Sequence, residues 1–139
     1  METSTEKFWL KNDQFFSKDE LPGDFIEQGI SLYEVFRVIQ GVPLFFEEHM
    51  ARLHNSSQLT GLKLPVEDET IRKRLHDLIA RNQVETGNIK IVLNYQQPNE
   101  PAVFYAYFTP AFYPSPADYE KGAKTVLVHI ERPNPNAKV

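Results

Sequence analysis

Four side chains of types that can bind or transform small polar molecules occur in two parts of the chain. Tyr33, Arg37 and Arg52 lie in one stretch, and Lys138 is next to the last residue of the sequence. A guanidinium group can donate two parallel hydrogen bonds to an anion such as phosphate, which a lysine cannot do. A lysine amine in its neutral form is a nucleophile toward a carbonyl carbon. Together, these groups could bind an anionic ligand and react with a carbonyl group.

Each of these side chains also has a purely structural interpretation. Arg52 could pair with Glu48 one helical turn earlier, in a solvated salt bridge worth roughly a few tenths of a kcal/mol. Tyr33 could be an interior tyrosine of a sheet, and Arg37 could either face a cleft or pair with Glu34 or Glu48. A lysine beside a chain end is usually a solubilising charge. The residue types alone leave both interpretations open.

The order and spacing of the surrounding residues carry more information. The pair Tyr33-Glu34 is followed three residues later by Arg37 and then by a turn glycine, Gly41. A Glu-His-x-x-Arg-Leu segment comes next, made of Glu48, His49, Arg52 and Leu53 with two residues between His49 and Arg52. Ser56 lies four residues after Arg52. This pattern resembles that of the fold-type IV, class IV aminotransferases. The family includes branched-chain aminotransferases, D-amino acid aminotransferases and 4-amino-4-deoxychorismate lyases. The resemblance implies an enzyme that uses pyridoxal 5'-phosphate.

The resemblance also implies a role for each candidate residue. Arg52 matches the arginine that holds the phosphate of the cofactor. Lys138 matches the catalytic lysine that forms a Schiff base with the cofactor and then moves a proton as general base, which requires a neutral amine and therefore a partly desolvated site. Tyr33 matches a tyrosine that binds the substrate carboxylate in the D-amino acid aminotransferase branch. Arg37 is a second candidate for substrate binding.

One segment departs from the family pattern. Family members usually carry an Arg-Gly pair at the end of the strand that follows the second helix, where this chain has Leu93-Asn94-Tyr95-Gln96-Gln97-Pro98. Lys90 is the nearby cation, and Asn94, Tyr95 or Gln96 could serve instead as neutral donors. Such donors would favour a different or less acidic substrate group. The resemblance therefore indicates the reaction class but not the substrate.

Composition narrows the class of protein. The 139 residues suffice for one domain, with 41% hydrophobic and 24% charged residues. A net charge of −4 argues against nucleic acid or an anionic membrane as partner. The absence of cysteine excludes disulfides and thiolate sites, and the histidines lack the spacing of a metal site. No apolar run approaches the roughly 18 residues of a membrane span, so we expect a cytoplasmic protein.

The periodicity predicts an α+β fold with a mostly antiparallel sheet of five or six strands and two helices packed on it. This is the architecture of the small domain of the D-amino acid aminotransferase-like fold. The helices are expected at about 47–60 and 67–82, and 110–122 is expected to be a surface loop. The strands of the sheet are expected at 32–39, 42–46, 89–95, 103–109 and 125–130, preceded by a short opening hairpin at 8–10 and 15–16.

Members of the resembled family are about twice as long as this chain. We therefore expect residues 1–130 to form the small N-terminal domain and residues 131–139 to be an interdomain linker and the start of a missing C-terminal domain. The chain would then be an incomplete aminotransferase or lyase, inactive alone, that acts on an amino acid or amine and forms a homodimer in its complete form. The alternative is a stand-alone binding or dimerisation module that kept the fold without catalysis.

Overall fold

A six-stranded antiparallel sheet forms the body of the protein, with strand order β2-β1-β6-β5-β3-β4. The computed structural model describes residues 3–21, 24, 27–97 and 99–139. The strands are β1 (Phe8–Lys11), β2 (Gln14–Ser17), β3 (Ile30–Ile39), β4 (Val42–Pro43), β5 (Gly87–Tyr95) and β6 (Val103–Thr109). The predicted α+β class and the antiparallel sheet are confirmed.

Two long helices cover one face of this sheet. Helix α1 (Phe46–Thr60) and helix α2 (Asp68–Asn82) follow each other between β4 and β5. Each buries a stripe at helical spacing, made of Phe46, Met50, Leu53 and Ser56 in α1 and of Ile71, Leu75, Leu78 and Ile79 in α2. These stripes pack against inward-facing residues of β3, β5 and β6 in one apolar core. In the described part of the chain, no helix is both long and apolar enough to cross a membrane.

Strand β3 separates two different environments. Leu32, Glu34, Phe36 and Val38 point toward the helices and are buried, while Tyr33, Val35 and Arg37 are partly exposed on the other face. This is the alternation predicted from the sequence, because successive side chains of a strand point to opposite sides. We call the helix-covered side the inner face and the opposite side the outer face.

A tight turn brings α1 beside the edge of β3. Gln40 and Gly41 both have positive φ values, 51° and 74°, as a two-residue type I′ hairpin turn requires. Strand β4 is shorter than the predicted 42–46, because it pairs only with Val38 and Ile39 before α1 begins at Phe46. Strand β4 therefore leaves the first part of the β3 edge uncovered.

Two local predictions were wrong. The expected loop 110–122 contains a short helix, α3 (Pro116–Lys121), because Ser115 and Asp118 form a reciprocal capping box and a proline opens the helix. The expected strand 125–130 is absent, since residues 122–132 contain no helix or strand. Its apolar residues are exposed, among them Val126, Leu127, Val128 and Ile130. High strand propensity does not produce a strand where no neighbouring strand pairs with it.

Candidate functional site

The uncovered edge of β3 is closed by the last residues of the chain. The Tyr33 amide donates to the Lys138 carbonyl at 3.4 Å, and the Lys138 amide donates to Ser56 Oγ of α1 at 2.9 Å. Asn55 Nδ2 adds a hydrogen bond to the Asn136 carbonyl at 3.2 Å. Ala137, between these contacts, is buried. These contacts hold Lys138 between α1 and β3 although it lies far from both in sequence.

A buried carboxylate at this edge binds three basic side chains. Glu34 has no solvent exposure, and Arg52 donates to both of its oxygens, from Nε to Oε1 at 2.8 Å and from Nη2 to Oε2 at 2.6 Å. His49 Nδ1 lies 2.8 Å from Oε2, and Lys138 Nζ lies 3.3 Å from the same atom. Arg52 and Lys138 thus meet on one carboxylate oxygen. We call Glu34, His49, Arg52 and Lys138 the carboxylate cluster.

The protonation of the cluster follows from these contacts. Burial by itself raises the pKa of the Glu34 carboxyl, but the hydrogen bonds from Arg52 and His49 and the charge of Lys138 outweigh it and lower the pKa from 4.5 to about 2. The hydrogen bonds to Glu34 likewise raise the pKa of Arg52. His49 Nδ1 must donate to the carboxylate, so its 3.2 Å contact with Arg52 Nη2 places two donors side by side. Glu34 is therefore an anion that stabilises cationic neighbours.

Part of the cluster remains accessible to a ligand. The Arg52 side chain is 49% exposed although two of its nitrogens bind Glu34, and the Lys138 side chain is 23% exposed. The bidentate pairing with a buried partner fixes the plane of the guanidinium. An anion arriving from solvent would therefore meet a guanidinium that is already oriented, with an amine close by.

The outer face holds the other two candidate residues. Two ammonium groups contact the Tyr33 ring, with Lys138 Nζ 5.0 Å and Lys90 Nζ 4.9 Å from its centroid. Arg37 instead stacks on Tyr113, with Cζ 4.0 Å from the ring centroid. Tyr33, Arg52 and Lys138 therefore meet at one edge. Arg37 lies farther along β3 and contacts the segment that follows β6. The pairing of Arg37 with Glu34 or Glu48, one of the interpretations of the sequence, is not observed.

The ion pair of Arg52 differs from the one that the structural interpretation of the sequence suggested. Its partner is Glu34 on β3 rather than Glu48 on its own helix. The sequence indicates Glu34 as a residue of the motif and as a possible partner of Arg37, but it does not predict that Glu34 is the centre of the cluster. The available signal was its placement on the apolar face of β3, between Leu32 and Phe36, since a carboxylate on such a face needs a buried cationic or hydrogen-bonding partner.

These observations define the class of structure: a two-layer α+β domain in which an arginine and a lysine bind one buried carboxylate. A model of the family amino-transferase class IV matches residues 31–139. The chain therefore belongs to the amino-transferase class IV family, and the resemblance inferred from its motifs is confirmed.

Individual relatives agree with this assignment. The chain is 32% identical over 84 residues to a D-alanine aminotransferase of Listeria innocua, and this alignment covers 58% of the chain and 29% of the relative. It is 29% identical over 66 residues to an aminodeoxychorismate lyase of Bacillus subtilis, covering 48% of the chain and 22% of the relative. The chain thus spans less than a third of either of these relatives.

Solved structures support the fold. The branched-chain amino acid aminotransferase of Escherichia coli superimposes with a TM-score of 0.65 at 16% identity, covering 77% of this chain and 42% of that one. A second branched-chain amino acid aminotransferase, complexed with N-(5'-phosphopyridoxyl)-L-glutamate, has a TM-score of 0.62 at 18% identity, covering 74% of this chain and 40% of that one. At these identities the similarity concerns the fold, and it confirms the small-domain architecture of this family.

Proposed function

We propose that this chain is the small N-terminal domain of a pyridoxal-phosphate enzyme that transfers or eliminates the amino group of an amino acid or an aminodeoxychorismate-like amine. The observation that carries the proposal is the carboxylate cluster, in which Arg52 and Lys138 share one oxygen of Glu34. Family membership and the phosphopyridoxyl compound bound to one solved relative support the same cofactor. Structural pairing alone would not need two partly exposed cations on one carboxylate.

The residues present fit the cofactor. A pre-oriented, half-exposed guanidinium suits a phosphate, which accepts two parallel hydrogen bonds from it. Lys138 Nζ suits the carbonyl carbon of the cofactor, provided that it first releases its proton. The cofactor, when bound, supplies the electron-withdrawing ring that makes the Cα–H bond of an amine acidic. Lys138 Nζ would then carry that proton as general base.

Glu34 would act on both residues in this scheme. Its carboxylate holds the Arg52 guanidinium in one plane and binds the Lys138 ammonium, with 3.3 Å between Nζ and Oε2. Loss of that ammonium proton leaves Glu34 with Arg52 and His49 as partners, so the carboxylate stays compensated. On the outer face, we assign Tyr33 to substrate binding and keep Arg37 as a second candidate.

The exposed segment after α3 supports a further part of the proposal. Residues 125–130 have strand-forming residues, yet they are exposed and pair with none of the described strands. We infer that residues 131–139 lead into a second domain, whose sheet could accept residues 125–130 as a strand. The complete enzyme would be a homodimer, because exposed apolar area tends to be covered by a partner.

The decisive test is covalent trapping of the cofactor. The protein that contains this chain is incubated with pyridoxal phosphate, reduced with borohydride and analysed by mass spectrometry with peptide mapping. We expect one reduced cofactor on Lys138, none in Lys138→Ala, and an unchanged adduct in Lys121→Ala, which removes an exposed lysine at the end of α3.

Trapping that is equal in Lys138→Ala, or spread over several lysines, would contradict the site. A protein that traps no cofactor but still self-associates would instead support the stand-alone dimerisation module. Sedimentation velocity on the same samples measures that second property independently of the cofactor.

A further inference from the structure

Ser56 is a buried polar residue of α1 outside the carboxylate cluster. It has no solvent exposure, and it continues the buried stripe that Phe46, Met50 and Leu53 form along the helix. An alanine at such a position would favour the helix more than a serine does and would bury no polar group. Proteins break such local rules mainly at functional sites. Ser56 is therefore a candidate for a role beyond packing.

The hydroxyl of Ser56 binds the backbone of Lys138. Its Oγ accepts a hydrogen bond from the Lys138 amide at 2.9 Å, between residues 82 positions apart in sequence. On the other side of the same residue, the Lys138 carbonyl accepts a hydrogen bond from the Tyr33 amide on β3 at 3.4 Å. Lys138 therefore lies along the edge of β3, and a side-chain hydroxyl on α1, rather than a further strand, binds its N–H group.

Asn55 holds the same segment from the exposed side of α1. Its Nδ2 donates to the Asn136 carbonyl at 3.2 Å. Ala137 lies between the two hydrogen bonds and is buried, and its amide donates to the Asn134 carbonyl at 3.2 Å. The segment thus turns onto α1 and presents Lys138 with a defined backbone position.

The spacing of residues along α1 relates this docking to the carboxylate cluster. His49, Arg52 and Ser56 are separated by three and four residues, so they lie on one side of the helix. The first two bind Glu34, and Ser56 binds the backbone of Lys138, whose Nζ reaches the same carboxylate. At about 1.5 Å of rise per residue, Arg52 and Ser56 are about 6 Å apart along the helix axis. The helix therefore sets the distance between the arginine and the lysine backbone.

We propose that Ser56, assisted by Asn55, is a positioning residue that places the amine of Lys138 relative to the guanidinium of Arg52. This inference rests on the proposed function, in which Arg52 holds the phosphate and Lys138 reacts with the carbonyl carbon of the same molecule. Two groups that act on different parts of one rigid molecule need a fixed separation. Ser56 supplies it, because its hydroxyl anchors Lys138 one helical turn from Arg52.

The test separates the position of Lys138 from the integrity of the site. Ser56→Ala, Ser56→Thr, Asn55→Ala and the control Ser57→Ala are made in the protein that contains this chain. Ser57 is the next residue of α1, and its hydroxyl donates to the Leu62 carbonyl instead of the segment around Lys138.

Three quantities are measured on each protein. Mass spectrometry follows amide hydrogen exchange of the peptide that contains Lys138 in the absence of cofactor. Borohydride reduction after timed incubation with pyridoxal phosphate gives the rate at which the Lys138 amine adds to the aldehyde carbon with loss of water. Equilibrium dialysis gives the affinity for pyridoxine 5'-phosphate, which has the phosphate but no aldehyde and therefore reports on Arg52 alone.

We expect Ser56→Ala to speed the exchange of the Lys138 amide by about three- to tenfold, the scale of one lost hydrogen bond. Trapping on Lys138 should slow by roughly tenfold or more, because a small displacement of a reacting group has a large effect on rate. The affinity for pyridoxine 5'-phosphate should be unchanged. Ser56→Thr keeps a hydroxyl and should trap faster than Ser56→Ala. Asn55→Ala should slow trapping less, and Ser57→Ala should match the wild type.

Unchanged trapping in Ser56→Ala would overturn the proposal, and so would an equal slowing in Ser57→Ala. A loss of pyridoxine 5'-phosphate affinity as large as the loss of trapping rate would also overturn it, because the substitution would then have damaged the whole site. If Ser56→Ala does not fold, Asn55→Ala decides in its place, since Asn55 is exposed. Slower trapping with unchanged affinity in that variant would support the positioning of Lys138 by α1, and wild-type trapping would refute it.

Failure of the two proposals can be told apart. A wild type that traps no cofactor on Lys138 would refute the proposed function. Faster exchange in Ser56→Ala would then still keep Ser56 as the residue that holds Lys138, and unchanged exchange would refute that role as well. A wild type that traps the cofactor on Lys138, with the same rate in Ser56→Ala, would keep the function and refute the role of Ser56.

Discussion

The two faces of β3 handle charge in opposite ways. On the inner face, Glu34 is fully buried and its charge is compensated within the chain by Arg52, His49 and Lys138. On the outer face, Lys90 and Arg37 lie against the aromatic rings of Tyr33 and Tyr113. A buried carboxylate does not tolerate the loss of its partners, whereas a cation over a ring at an exposed site is worth only about 0.5–1 kcal/mol. The charges of the inner face therefore matter more for the stability of the fold than those of the outer face.

The largest expected effect concerns the inner face. Because the pKa of Glu34 is lowered from 4.5 to about 2 in the folded protein, its stabilising contribution is fully present above about pH 4.5 and is lost as pH falls toward 2. That shift corresponds to about 3 kcal/mol of unfolding free energy. We expect Glu34→Gln to lose this part of the acid dependence and to be less stable than the wild type at pH 7.

Urea denaturation at pH 7, 4.5, 3.5 and 2.5 measures this difference. Asp77→Asn is the matched control, since it changes a carboxylate in an exposed pair with Lys73 and should keep most of the wild-type profile. Parallel pH profiles for the wild type and Glu34→Gln would show that the carboxylate cluster does not stabilise the fold.

A smaller effect is expected where the two faces meet, at Arg52. In the protein that contains this chain, Arg52→Ala should weaken pyridoxal phosphate binding by roughly 1.5–3 kcal/mol, the scale of a lost charge-assisted hydrogen bond. Arg52→Lys should recover only part of that loss, because an ammonium cannot make two parallel hydrogen bonds. Equilibrium dialysis measures the affinity.

Arg72→Ala serves as the control for Arg52, because Arg72 is bonded to Glu47 and Glu69 on the exposed surface of the helices. Cofactor affinity that stays unchanged in Arg52→Ala would mean that Arg52 serves only to compensate Glu34. The cluster would then be a structural feature of the inner face.

The smallest effect is expected on the outer face, at Arg37. Its contact with Tyr113 is a cation–π interaction, which at an exposed site is worth about 0.5–1 kcal/mol. Arg37→Met and Tyr113→Leu should therefore each lower the unfolding free energy by no more than about that amount. In the double variant, the loss of unfolding free energy should be smaller than the sum of the two single losses, because both remove the same contact. Thermal or urea denaturation of the four proteins completes the cycle.

Substrate kinetics on Arg37→Met sharpen the comparison further. A raised KM for an amino acid substrate, with kcat unchanged, would assign Arg37 to substrate binding beside Tyr33. Unchanged kinetics would leave it with the packing role that its contact with Tyr113 indicates.

Some of this architecture could be read from local patterns. The alternation in β3 predicted both faces of the strand, and the apolar stripe of α2 predicted its buried side. The segment 125–130 has equally strong strand propensity, yet it is exposed, whereas β6 is buried between β1 and β5. The difference is a pairing partner, which a local pattern does not contain.

The sequence by itself determined the family, the element order and the candidates Tyr33, Arg37, Arg52 and Lys138, because motif spacing and periodicity are local properties of the chain. Only the tertiary structure decided that Glu34 joins Arg52 to Lys138 and that Lys90 lies across the sheet from Tyr33. Both results come from contacts between residues far apart in sequence. The first depends on the docking of residues 136–138 on α1, and the second depends on strand register. Such contacts depend on how the strands and helices pack, and that packing is set by the whole core.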